Sequence, residues 1–150
     1  MSNKRKPINE ADVDWRTQAE RLHKMLVEEL GQPVRSERGM DGAEWFEAGN
    51  PPEVVIRLDQ TTASVYRYEA GWDGPERPFV RPAILATVHW REIGVTRTWM
   101  LCHTLIEEAR AQRRATFRKC RYCKKSFGPE HMHSADACQG CAEKHLGVVY

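Results

Sequence analysis

A chain of 150 residues, 41% hydrophobic and 29% charged, has room for one ordinary domain and a small appendage, and its composition excludes a wholly disordered chain. The formal charge of +2 is unevenly divided: residues 1–109 hold 14 Lys/Arg against 18 Asp/Glu, whereas residues 110–150 hold nine against three. No apolar run approaches the roughly 18 residues of a membrane span, and no signal-type apolar stretch follows the basic start, so the expected setting is the reducing cytoplasm, away from membranes.

Residues 1–10 read as a flexible basic arm. From about Asp12 to Leu30, Trp15, Ala19, Leu22, Leu26 and Leu30 recur at three- and four-residue spacing, the mark of an amphipathic helix. Gly31 is placed to cap it and Pro33 prevents its continuation. Strand signals follow: Pro33 to Arg38, a turn over Gly39–Gly42, then Ala43 to Ala48 as a hairpin. Glu53 to Asp59 alternates with Val54, Ile56 and Leu58 on one face, and Ala63 to Glu69 alternates again. Gly71 to Pro82 is rich in turn formers and reads as a loop. Ala83 to Arg91 gives the longest strand, with Ile84, Ala86, Val88 and Trp90 facing one way. A second helix begins near Thr96 or Thr98, either of which can cap it, and carries Leu101, Cys102, Leu105, Ile106 and Ala109 as its stripe. Cys102, within the apolar run Trp99–Ile106, reads as a small core hydrophobe.

Beyond Ala109 the stripe fades into a basic run, and here the sequence divides the chain into an α+β domain over residues 11–114 and a small module over 115–150. The module's frame is Cys120-Arg-Tyr-Cys123, fourteen residues, then Cys138-Gln-Gly-Cys141. Two C-x-x-C pairs at that separation can each present two sulfurs to one ion, and four thiolates in a tetrahedron suit Zn²⁺ in a closed structural site. Phe117 to Phe127 reads as a hairpin whose bend holds the first pair. Ala137 to Leu146 reads as a helix capped by Ser134 or Asp136 and ended by Gly147, with Cys138 and Cys141 in its first turn, where the helix dipole favours thiolate. His131, His133 and His145 lie nearby, but four thiolates already complete the shell.

A knuckle, a loop and a helix-borne C-x-x-C resemble the treble-clef zinc-finger pattern over about Phe117–Tyr150, a scaffold that implies fold more than function. The order Cys120, Cys123, Phe127, Cys138, Cys141 is also similar to short C-terminal fingers of bacterial regulators, the CGNR type among them. Where that signature would read Cys-Gly-Asn-Arg, this chain has Cys138-Gln-Gly-Cys141-Ala, so the likeness is one of architecture. Treble clefs can also carry a His-metal nuclease site, for which Glu130, His131 and His133 are the candidates; such a site needs a supporting Asn, and none follows Asn50.

The expected fold is therefore α+β: an antiparallel sheet of four to five strands flanked by two helices, followed by a small treble-clef zinc module. Arg110, Arg113, Arg114, Arg118, Lys119, Arg121, Lys124 and Lys125 fall within sixteen residues, with Tyr122 among them and no acid before Glu130. Cations held so close repel one another, which a polyanion relieves while releasing counterions. Nucleic acid, DNA or RNA, is the expected partner, contacted by Arg113, Arg114, Arg118, Lys119, Arg121, Lys124 and Lys125, with Tyr122 stacking on an unpaired base. A regulatory or accessory role follows from that reading. The alternatives are a protein-interaction adaptor or homo-oligomer with a purely structural zinc site, and an enzyme using polar strand residues such as Arg57, Asp59, Arg67, Glu69, His89 and Arg91. No Ser/His/Asp, phosphate-loop or open-metal signature supports the last, so the chain reads as non-enzymatic.

Overall fold

Leu22, Leu26 and Leu30 recur every fourth residue, so a helix sets them on one face. They share a face of α1 (Glu10–Leu30), and all three are shut away from solvent. Burial of each side chain contributes about 1.5–3 kcal/mol. Gly31 ends the helix at φ +71°, a left-handed conformation that glycine adopts without a steric penalty, and its N–H reaches the Glu28 carbonyl at 3.3 Å. A computed structural model describes residues 10–74 and 77–149; the basic arm expected over residues 1–10 lies outside them except for Glu10.

Five strands follow α1: β1 (Val34–Arg38), β2 (Glu44–Ala48), β3 (Val54–Leu58), β4 (Ala63–Trp72) and β5 (Pro78–Val88). They form one antiparallel sheet in the order β1-β2-β3-β4-β5, so every strand pairs with its neighbours in sequence. Phe46 stands opposite Ile56, Ile56 opposite Val65, and Val65 opposite Ala86. The first three of these side chains are buried in one cluster with Leu22, Leu26 and Leu30 of α1. The opposite face carries Trp45, Arg57 and Ser64 in register. Arg57 holds Asp41 at 2.7 Å and Asp59 at 2.6 Å, and lies over the Trp45 ring at 5.8 Å.

The last strand differs from its sequence reading in two ways. It starts at Pro78 and ends at Val88, so most of the expected loop is a hairpin arm in which Trp72 pairs with Pro78. The pairing of its neighbour β4 with β3 stops at Arg67, and β4 and β5 continue beyond that point as two strands alone. Pro78 and Pro82 lie on an edge strand, where outward-facing positions need no N–H for the ladder. A bulge between Val65 and Tyr66 sets Ala86 opposite Val65 but Ile84 opposite Tyr66, and the extra residue, Leu85, packs on the core. Ile84 is thereby turned out, at 57% exposure, against the simple alternation. Trp90 belongs to a short helix, α2 (Trp90–Ile93), where it is fully buried and its Nε1 donates to the Asp59 carbonyl at 2.9 Å.

The long helix α3 (Val95–Ala115) completes the cover of the sheet's inner face through Cys102, Ile106 and Ala109. Gly94 occupies its N-cap; Thr98 lies inside and bonds the Gly94 carbonyl at 2.8 Å, and neither it nor Thr96 caps the helix. Leu101, assigned to the stripe by spacing, is half exposed. Burial raises the Cys102 thiol to about 11, as suits a core hydrophobe. The α+β fold with a five-stranded antiparallel sheet is as the sequence indicated, and its 114/115 division falls in the last turn of α3. The remaining elements are β6 (Arg118–Lys119), β7 (Ser126–Phe127), a 3-10 turn at Pro129–His131 and α4 (Gln139–Leu146). The 3-10 turn packs against β4 and β5.

Candidate metal centre

Arg118 pairs with Phe127 and Lys119 with Ser126, a two-stranded hairpin whose bend runs from Cys120 to Lys125. Cys120 N–H donates to the Lys125 carbonyl at 2.9 Å, and Lys124 N–H to the Cys120 carbonyl at 3.0 Å. Lys124 is left-handed at φ 64°, the sharp bend that brings the Cys123 and Cys120 sulfurs to one side. The second pair sits at the start of α4. Cys138 itself is the N-cap, and its sulfur accepts the Cys141 N–H at 3.4 Å. Ser134 and Asp136, read from sequence as possible caps, bond to each other at 3.1 Å instead. A sulfur that binds both metal and helix N–H can fill the capping role on its own. Gly147 closes the helix in the left-handed conformation as expected.

The four Sγ atoms of Cys120, Cys123, Cys138 and Cys141 lie within 4.8 Å of one another, and Cys123 and Cys138 are 4.0 Å apart. Sulfurs about 2.3 Å from a tetrahedral Zn²⁺ stand roughly 3.8 Å from each other, so a small contraction seats the ion. All four are free thiols, and no other residue joins the group among those described. Cys120, Cys138 and Cys141 are buried, with Met132, Tyr122 and Phe127 packed around them. Burial alone would raise the Cys120 thiol, but N–H groups of Cys138, Cys123 and Tyr122 bring it down to about 6. Burial and the three neighbouring sulfurs push Cys141 up to about 12. Without a cation the cluster resists holding four negative charges; a dication removes that resistance. The donor set fits zinc, in a closed site that leaves no open position for substrate.

The structure separates the residues expected to contact nucleic acid into three kinds. Arg113 is 1% exposed and is not a surface cation. Its Nε donates to the Pro52 carbonyl at 3.0 Å, and its guanidinium pairs with Glu130 and lies near the rings of Tyr68 and Phe117. A buried guanidinium bound by carboxylate, carbonyl and aromatic groups has nothing left for phosphate. Arg114 is exposed but held by Glu53, which also pairs with Arg110. Arg118, Lys119, Arg121, Lys124 and Lys125 are exposed on the hairpin. Arg121 has Asp136 at 3.5 Å, while Lys119, Lys124 and Lys125 have no ion-pair partner among the described residues. Tyr122 is stacked on His145 at 4.4 Å and 7°, with Arg121 4.9 Å from its ring.

Two residues of this region escaped the sequence reading. Glu130 reads from sequence only as a nuclease acid and is instead the partner of Arg113; His145 reads only as a surplus zinc ligand and is instead the stacking partner of Tyr122. The signal for the first was present: Cys102, Ile106, Ala109 and Arg113 continue one helical stripe. The polar strand residues find separate partners, Glu69 with Arg81 and Arg57 with Asp41 and Asp59, while Arg91 lies 4.9 Å from the Trp15 ring. No helix is long and apolar enough to cross a membrane among the described residues. Compared with family models, curated proteins and solved structures, the chain gives no match.

Proposed function

We propose that this chain contacts nucleic acid through a zinc-held basic hairpin, in a regulatory or accessory role within the cytoplasm. The carrying observation is Arg118, Lys119, Arg121, Lys124 and Lys125 within eight residues, on a bend fixed by two cysteines and with no acid in its own sequence; Asp136 reaches only Arg121 among the five. Zinc acts as a structural ion: it fixes the bend, so the cations are arranged before any partner arrives and little ordering remains at binding. A knuckle on β6–β7 followed by a cysteine pair at the head of α4 supports a treble-clef reading of residues 115–150. Arg113 is left out of the contact surface, and Arg114 contributes only if Glu53 releases it.

Titration of the zinc-loaded chain with labelled oligonucleotide tests this reading. If about four phosphates are neutralised, affinity falls on the order of 10²-fold between about 50 and 200 mM salt. The charge reversal R118E/K119E/K124E/K125E abolishes binding without loss of zinc. Salt-independent, weak binding defeats the proposal. A protein-docking role is favoured by a different observation, the exposed Leu146 and Val149 at the end of the chain. A protein partner would survive the charge reversal and be lost on L146D/V149D.

A further inference from the structure

The β4–β5 arm reaches the zinc module and leaves a groove of about 240 Å³ between them. Its lining includes Gly71 and Trp72 from the arm, Thr116 and Arg118 from the start of the hairpin segment, and Met132 and Ala135 from the loop between the cysteine pairs. Trp72 is 40% exposed, although it is the largest side chain on the arm and ends a strand. Phe79, on the neighbouring strand β5, lies across the backbone of Gly71, where a Cβ would come within 2.8 Å of the ring. An indole left open beside a groove with an apolar floor is an incomplete contact.

Charge selects what completes it. Among the described residues the groove's lining contains no carboxylate, and its one charged side chain is Arg118. Lys119 follows Arg118 on β6, and both are exposed. Asp73 follows Trp72 at the arm's tip but outside the lining, its N–H bonded to the Arg77 carbonyl at 2.7 Å. Arg118 donates from Nη1 to the Ala115 and Phe117 carbonyls at 3.3 and 3.2 Å, and neither it nor Lys119 has a carboxylate partner among the described residues. An indole beside such cations matches a flat aromatic ring joined to an anion.

We propose that this groove receives an unpaired base of a single-stranded nucleic acid, stacked on Trp72, with the adjoining phosphates on Arg118 and Lys119. The inference rests on the nucleic-acid reading above and narrows it to single strands. In a duplex both faces of each base are covered by neighbours, so the indole has no partner there. Tyr122 is a poorer platform, since His145 already covers one face of its ring. RNA and DNA share the base and phosphate chemistry, and the 2′-hydroxyl tells them apart.

The test uses the full zinc-loaded chain and four fluorescein-labelled probes: a single strand of DNA, the RNA of the same sequence, and the duplex of each. Binding is followed by anisotropy at fixed low salt for wild type, W72F, W72L and R118E/K119E, with zinc content and circular dichroism confirming that each variant is folded. Single strands are expected to bind more tightly than duplexes, and tighter binding of one sugar type names the source. W72L is expected to weaken single-strand binding about tenfold while W72F retains most of it, and neither moves duplex affinity. R118E/K119E weakens all four probes. If W72L and W72F both bind single strands like wild type while R118E/K119E does not, the base site is wrong and the basic-hairpin reading stands. If wild type binds none of the probes, both fall.

Discussion

Arg113 and Glu130 join the last turn of α3 to the loop between the two cysteine pairs, by a guanidinium that is 1% exposed and a carboxylate that receives two of its nitrogens. The same guanidinium borders Tyr68 of β4 and Phe117, while its Nε holds the turn before β3 through Pro52. The metal-bearing segment and the five-stranded body therefore share an internal charge. Removing one partner of such a pair leaves the other buried and unbalanced, at about 3–5 kcal/mol, whereas removing both costs less. Glu130 is partly open to water, so the lower end applies. E130Q and R113M are each expected to lower the stability of the zinc-loaded chain by about 3 kcal/mol in urea denaturation. The double variant should show a coupling of about 2 kcal/mol. Simple additivity would contradict a shared charge.

Loss of metal should act on the two parts unequally. Chelation, or C138S, takes away the centre around which Cys120, Met132 and Cys141 pack. Residues 117–149 have little other core, so they are expected to unfold. The cluster of Leu22, Phe46, Ile56, Val65 and Ile106 contains no ligand and stays folded. It should melt at a lower temperature than in the loaded protein, because Glu130 no longer holds Arg113. Circular dichroism during chelation tests this: partial loss of signal is expected, and complete loss would contradict a separately folding body.

A pH dependence is expected from His103, whose Nδ1 bonds Glu29 of α1 and whose Nε2 lies 3.3 Å from Glu107. The Glu29 hydrogen bond, and then its charge, raise the histidine above its usual 6.5. A raised folded value means that the folded chain binds the proton more tightly. The stabilisation is fully present below about pH 6.5 and is lost as pH rises through the folded value. Urea midpoints should fall from about pH 6 to 8 by more in wild type than in H103Q. Parallel profiles would show that the contact contributes nothing.

The sequence disclosed most where one local pattern decides the outcome. The α1 stripe, the Gly31 stop and the two C-x-x-C pairs are short-range features, and each folds as its spacing implies. The arm was hidden because Gly71, Pro78 and Pro82 are turn formers by habit, and only their place at a sheet edge makes them strand residues. Ile84 faces outward against the alternation because of a bulge, which leaves no mark that alternation can read. Arg113 reads as a surface cation because charge, in a basic run, outweighs its position on the buried stripe. Its partner Glu130 is seventeen residues away, beyond any periodicity.

Metal and thiols counted together test the central claim most directly. The chain has five cysteines, four at the proposed centre and Cys102 in the core. A thiol reagent should react slowly with the purified native protein. On adding a chelator, four thiols should become reactive as one zinc ion per chain is released, and the fifth should follow only in denaturant. Four thiols that react at once in the native protein, with no zinc released, would contradict a metal-held hairpin and the nucleic-acid surface proposed on it.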